Sequence, residues 1–153
     1  MMSMMSPFSI REALLAKHAQ HVALVHFPIA LFTAGVAFDF VAFRWKKSNF
    51  AAAAYYNIVG AALTAPLVVA TGLLAWKFQL ESEKLKGVLL LHLLFGIAAA
   101  GLIWLACYLH LQARRSAQEI SPLYRLGFEC LAAMVVATAA HLGGFVSGIN
   151  GPG

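Results

Sequence analysis

Four apolar runs divide this chain, at roughly residues 22 to 43, 51 to 76, 88 to 111 and 122 to 146. Each reaches the ~20 residues that a helix rising 1.5 Å per residue needs to cross ~30 Å of hydrocarbon. A backbone in lipid must satisfy its own hydrogen bonds, so segments of this length are restricted to helix. Composition agrees: of 153 residues, 61% are hydrophobic and 11% charged, and the mean hydropathy of +0.79 lies above the soluble range. The links near 44–50, 77–87 and 112–121 are short, which makes sequential helices antiparallel. The expectation is an all-α, integral membrane, up-down-up-down four-helix bundle spanning residues 22–153. Residues 1–21 would form a tail and a short interfacial helix, because Ser9-Ile10-Arg11-Glu12 has capping-box spacing and Ile10, Leu14, His18 and His21 recur at helical intervals.

Several function classes are excluded or weakened. The +5 formal charge sits in clusters between spans, where it borders headgroups, so it does not argue for nucleic acid. Cys107 and Cys130 fall inside spans three and four, which reads as buried thiols and not as a disulfide framework or zinc knuckle. No CxxCH occurs, so no c-type haem is attached. The first run ends in Phe43-Arg44-Trp45-Lys46-Lys47, a stop-transfer pattern and not a cleavage site. Four methionines in the first five residues suit copper(I), although an untrimmed start explains them more simply. Ser121-Pro122 has the form of an N-cap followed by proline at the first helical position.

Arg11, Lys17, Lys77, Lys84 and Lys86 would lie at one face, against Arg44, Lys46, Lys47, Arg114, Arg115 and Arg125 at the other. This slight excess predicts a bacterial inner-membrane protein with both termini on the periplasmic side.

In an alternating bundle, the starts of spans one and three and the end of span four share one membrane face. His26, His92 and His141 fall there, each about 6–9 Å inside its run. Their helical stripes are mostly small: Ala30, Thr33 and Ala37 follow His26; Gly96, Ala99, Ile103 and Ala106 follow His92; Gly144, Ala137, Met134 and Cys130 accompany His141. Small stripes suit either close helix contact or a flat macrocycle. Each histidine alone has an ordinary explanation: a carbonyl freed near Pro28, a hydroxyl of Thr33, Thr71 or Thr138, or exposure at the interface. Three at one depth favour a ligand site, since intramembrane ionisable groups are costly and neutral imidazole binds haem iron, zinc or copper. A zinc hydrolase would need a base beside them, and the intramembrane acids Asp39 and Glu129 lie toward the opposite face. A b-type haem needs only two facing histidines, His26 with His92 or either with His141.

The far leaflet offers His110, 18 residues from His92 and on the same helix face. One histidine does not make a second bis-histidine site, so no electron wire across the bilayer is expected. Asp39 is rotated about 140° from His26 and reads as structural, paired with Arg44 or Arg125 or hydrogen-bonded to Glu129. Asn57, Gly60, Thr64 and Thr71 share one face of span two, which predicts interhelical hydrogen bonds and a scaffold role.

The segment HVALVHFPIALFTAGVAFD, residues 21–39, resembles the signature of the bacterial membrane family called domain of unknown function 2231. The matching positions are His21, His26, Pro28, Asp39, His92 and His141-Leu142-Gly143-Gly144 leading to Gly148; Val22 departs from the family's proline after the first histidine. The resemblance implies a redox membrane, because such modules are joined to Rieske or cytochrome domains, and adds His21 to the cofactor candidates. The leading expectation is a membrane electron-transfer protein or subunit, without independent catalytic activity, holding haem b through these histidines. It would exchange electrons with a quinone or a separate redox polypeptide. The rival is a cofactor-free accessory subunit of a respiratory or photosynthetic complex, for which Gly144 and Gly148 supply a packing motif. A transporter ranks last, and a magnesium macrocycle is not separable from an iron one.

Overall fold

The computed structural model describes residues 19–78, 84–115 and 121–147. The methionine tail, the capping box, most of the expected interfacial helix and Gly148 lie outside the described residues. Four helices account for nearly all of the rest: α1 (Ala19–Trp45), α2 (Ser48–Phe78), α3 (Gly87–Arg115) and α4 (Pro122–Val146). All four are long and apolar enough to cross a membrane. At 1.5 Å per residue they are about 37–46 Å long, more than the hydrocarbon thickness.

Their ends have local causes. Lys46 adopts φ 51°, a left-handed residue that stops α1 and turns the chain within two residues. The Lys47 carbonyl then accepts the amides of Phe50 (3.2 Å) and Ala51 (3.4 Å) to start α2. Gly87 occupies the other left-handed position, φ 56°, where α3 begins. Ser121 stands at the N-cap of α4 with Pro122 following, but its side chain makes no capping bond; its carbonyl instead accepts the amide of Arg125 at 3.2 Å. Pro28 and Pro66 sit inside helices that continue through them.

Sequential neighbours α1/α2 and α3/α4 pack most extensively, and α2/α3 and α1/α4 close the ring. Alanine dominates the axis: Ala61, Ala62, Ala99, Ala106, Ala132 and Ala139 are buried there with Phe32, Ile58, Ile103 and Val136. Small residues allow the helices to approach, which in lipid supplies dispersion contacts where no hydrophobic drive exists. Gly35 marks the tightest point, since a Cβ there would stand 2.7 Å from Ile58 Cγ1 and 3.3 Å from the Ala54 carbonyl. Only 11–28% of each span's most apolar window is buried in the bundle, so most of every span faces lipid. Leu63, Leu67, Trp104 and Met134 are among the large exposed apolar side chains.

The polar face expected on α2 behaves differently from expectation. Asn57 donates to the Ala53 carbonyl at 2.9 Å, and the Thr64 hydroxyl lies 2.9 Å from the Gly60 carbonyl. These side chains satisfy themselves on their own helix. Thr71 likewise donates to the Val68 carbonyl of its own helix and, in addition, meets His21 of α1.

Candidate functional site

At the end of the bundle where α1 and α3 begin, two imidazoles meet. His21, on the first turn of α1, and His92, six residues into α3, have ring centroids 6.5 Å apart and planes inclined at 77°. All four helices contribute to the setting. The Thr71 hydroxyl of α2 is donated to the Val68 carbonyl at 3.0 Å, so its oxygen accepts from His21 Nδ1 at 3.1 Å. The Ala139 carbonyl of α4 can only accept, and it takes the Nδ1 proton of His92 at 3.0 Å. The acceptor-only carbonyl sets the His92 proton on Nδ1 and leaves its Nε2 a lone pair; the same tautomer of His21 is the one compatible with the Thr71 hydroxyl donating to Val68.

Glycine makes room for each ring. A Cβ on Gly72 would lie 3.0 Å from His21 Cε1, and one on Gly143 would lie 2.9 Å from His92 Cε1. Larger residues at either position would push an imidazole out of line.

The remaining histidines of this end are placed otherwise. His26 is exposed and its Nδ1 donates to the Val22 carbonyl of its own helix at 2.6 Å. His141 is exposed, with its ring edge-on to Phe145 at 5.0 Å. The trio His26, His92 and His141 therefore does not converge: among the described residues no group of three His, Cys, Asp or Glu at this end has the spacing of a metal site. The reason is rotation. His21 and His26 are five residues apart, about 140° around a helix, and the face carrying His21, which buried Pro28 shares two turns further on, is the one that packs inward. His92 is the member of the expected set that points into the bundle, and its facing partner is His21.

A second polar cluster lies at the opposite end. Asp39 of α1 is buried and accepts from Arg125 of α4 in a fork: Nη2 to Oδ1 at 2.8 Å, Nη2 to Oδ2 at 2.9 Å and Nε to Oδ2 at 3.1 Å. Of the two arginines weighed for Asp39, Arg125 is the partner. One turn on, fully buried Glu129 brings Oε1 to 2.7 Å from His110 Nε2 on α3 and 3.6 Å from Arg125 Nε. Donor atoms of Asp39, His110 and Glu129 lie within 4.8 Å of one another. That spacing alone would admit a cation, but the guanidinium already occupies both Asp39 oxygens, and its fixed charge opposes a metal ion there. The pairing of His110 with Glu129 was not foreseen from sequence; the available signal was that each is a titratable residue inside a span, at the same depth on adjacent helices.

The two clusters are separated by the alanine-rich axis. His92 and His110 stand 18 residues apart on α3, about 27 Å at helical rise.

The model of a family described as "Predicted membrane protein (DUF2231)" matches residues 17–149, which takes in all four helices. No curated protein and no solved structure matches the chain.

Proposed function

The chain belongs to the DUF2231 family of membrane proteins, and we propose that it is a small electron-transfer subunit whose redox centre is held between His21 and His92. The observation that carries this reading is the meeting of two imidazoles, each held at its Nδ1 by a neighbouring helix. Metal-ligating histidines donate their other ring N–H to a carbonyl, hydroxyl or carboxylate, which orients the ring and raises its basicity; Thr71 and Ala139 make these contacts. With ring centroids 6.5 Å apart, His21 and His92 are the residues that would hold the group between them.

The donor chemistry is that of a b-type haem, which when bound between two imidazoles supplies one-electron chemistry. The chain's own residues do the rest. Thr71 and the Ala139 carbonyl hold the rings, Gly72 and Gly143 leave their edges clear, and the apolar axis keeps water from crossing. Depth sets the partner: His21 lies three residues into α1, so exchange would occur at this face, with a quinone or a separate redox polypeptide.

We place this face on the periplasmic side of a bacterial inner membrane. By sequence, six lysines and arginines (Arg44, Lys46, Lys47, Arg114, Arg115 and Arg125) belong to the other end, against five (Arg11, Lys17, Lys77, Lys84 and Lys86) at this one.

The test is a reduced-minus-oxidised absorption spectrum of the detergent-purified chain titrated with haem. Soret and alpha bands that sharpen on dithionite and saturate at one haem per chain are expected; their absence removes the proposal.

One observation favours the cofactor-free reading. An open groove of about 480 Å³ between α2 and α3 is lined by Pro66, Val69, Leu73, Ile97, Gly101 and Trp104, and a Cβ on Gly101 would touch nothing within 4 Å. Such a notch suits a partner helix. If it holds one, Gly101→Phe abolishes co-migration of a larger complex in native gels of solubilised membranes while haem content stays at zero.

A further inference from the structure

The end of the bundle remote from His21 and His92 holds a charge that its neighbours do not balance. Asp39 and Arg125 cancel. Glu129 is 0% exposed, its Oε2 has no hydrogen-bond partner, and its Oε1 faces His110 at 2.7 Å. With a neutral imidazole and an ionised carboxyl, the four side chains carry one net negative charge in a low-dielectric bundle, which is costly. A single proton, on the imidazole or on the carboxyl, removes that cost.

An opening borders His110, the outer member of the pair. A cavity of about 310 Å³ opens at the basic end and is lined by Ser48 and Tyr55 of α2, His110 and Arg114 of α3, and Arg125 of α4. At ~30 Å³ per molecule it holds several waters. His110 lines the cavity while its Nε2 is engaged with Glu129, so the other ring nitrogen is the one left to meet solvent. On the far side of Glu129 the axis is filled by Ile103, Ala106, Ala132 and Val136, and Asp39, His110 and Glu129 are the polar residues buried among those described. A proton therefore has one way in and the same way out.

We propose that His110 and Glu129 form a proton-binding pair that exchanges one proton with water at the basic end of the bundle. Uptake places a solvent proton on His110 Nδ1 while the Nε2 proton passes to Glu129 Oε1. The products are a neutral carboxylic acid and a neutral imidazole of the opposite tautomer; release is the reverse, and no electrons move. Asp39 from α1 and Arg125 from α4 stand beside the pair, while Tyr55 from α2 and Arg114 from α3 line the opening next to it, the Arg114 guanidinium lying 4.2 Å over the Tyr55 ring. Arg125 Nε stands 3.6 Å from Oε1. The site is independent of the redox reading, about 27 Å from His92, and stands or falls without haem.

The experiment is infrared difference spectroscopy of the full chain in lipid nanodiscs, stepped through pH in H₂O and D₂O. A protonated-carboxyl C=O band that grows as pH falls, shifts in D₂O and vanishes in Glu129→Gln is expected. In Ala51→Phe, which fills the cavity, its exchange slows by roughly tenfold or more, because solvent then enters only through local opening of the helix ends. The wild-type band needs no variant to be read, so misfolding of either variant leaves the test intact. No such band at any pH, a band that does not change with pH, or exchange unaltered by the cavity-filling residue would overturn the proposal.

Discussion

Alanine at Gly143 separates the geometry of the histidine pair from the stability of the bundle. Its Cβ would stand 2.9 Å from His92 Cε1, where ordinary contact begins at 3.4 Å, so the ring must retreat by the difference, 0.5 Å. If the retreat stretches the Nδ1 bond to Ala139 from 3.0 Å by that amount, it reaches the limit of hydrogen bonding and about 1 kcal/mol is lost. Replacing a mid-helix glycine by alanine returns about 1 kcal/mol. The two nearly cancel, so urea or thermal unfolding in detergent should shift little. Binding should not escape: a metal shared by two imidazoles tolerates about 0.5 Å of misplacement, and loss of an orienting hydrogen bond weakens ligation ~10–100-fold. Haem titration of Gly143→Ala against Gly127→Ala, whose methyl meets nothing within 4 Å, gives the comparison. Equal haem affinity in the two, or a loss of several kcal/mol of folding stability in Gly143→Ala, would refute the reasoning.

Three further outcomes follow from contacts already described. Arg125→Ala strands buried Asp39 and should destabilise the bundle by about 3–5 kcal/mol, read as a lowered unfolding midpoint; Arg125→Lys recovers only part, because an ammonium cannot reproduce the fork. Gly35→Ala drives a methyl against Ile58 and the Ala54 carbonyl and should cost about 1–3 kcal/mol despite its better helix propensity. Thr71→Val keeps the shape but removes the oxygen that accepts from His21, and should weaken haem binding ~10–100-fold with little change in folding.

The four spans were legible because lipid leaves a long apolar segment one conformation. The expected runs 22–43, 51–76, 88–111 and 122–146 sit inside or on helices Ala19–Trp45, Ser48–Phe78, Gly87–Arg115 and Pro122–Val146. Depth was legible too, since it follows from counting residues. Rotation was not. A helix that is apolar all round offers no polar stripe to mark its outer face, so His21 and His26, about 140° apart, could not be ranked by pattern. What decides between them is across the interface: Gly72 and Thr71 on α2 accept His21, while His26 finds its partner on its own helix. The same holds on α4, where the inward position beside His92 is Gly143 and not His141. Threonines on α2 could not be divided by type either, because Thr64 and Thr71 both bond backward along their helix and Thr71 also meets His21 across the interface. The Asp39 fork was within reach of sequence because few cations lie at its depth.

The most direct measurement is a histidine-by-histidine comparison of haem spectra in the purified, haem-titrated chain. Replacing His21 or His92 by alanine should abolish the low-spin reduced bands, while His26→Ala and His141→Ala should retain them at wild-type intensity. Bands that survive without His21 or His92, or that disappear without His26 or His141, would contradict the account.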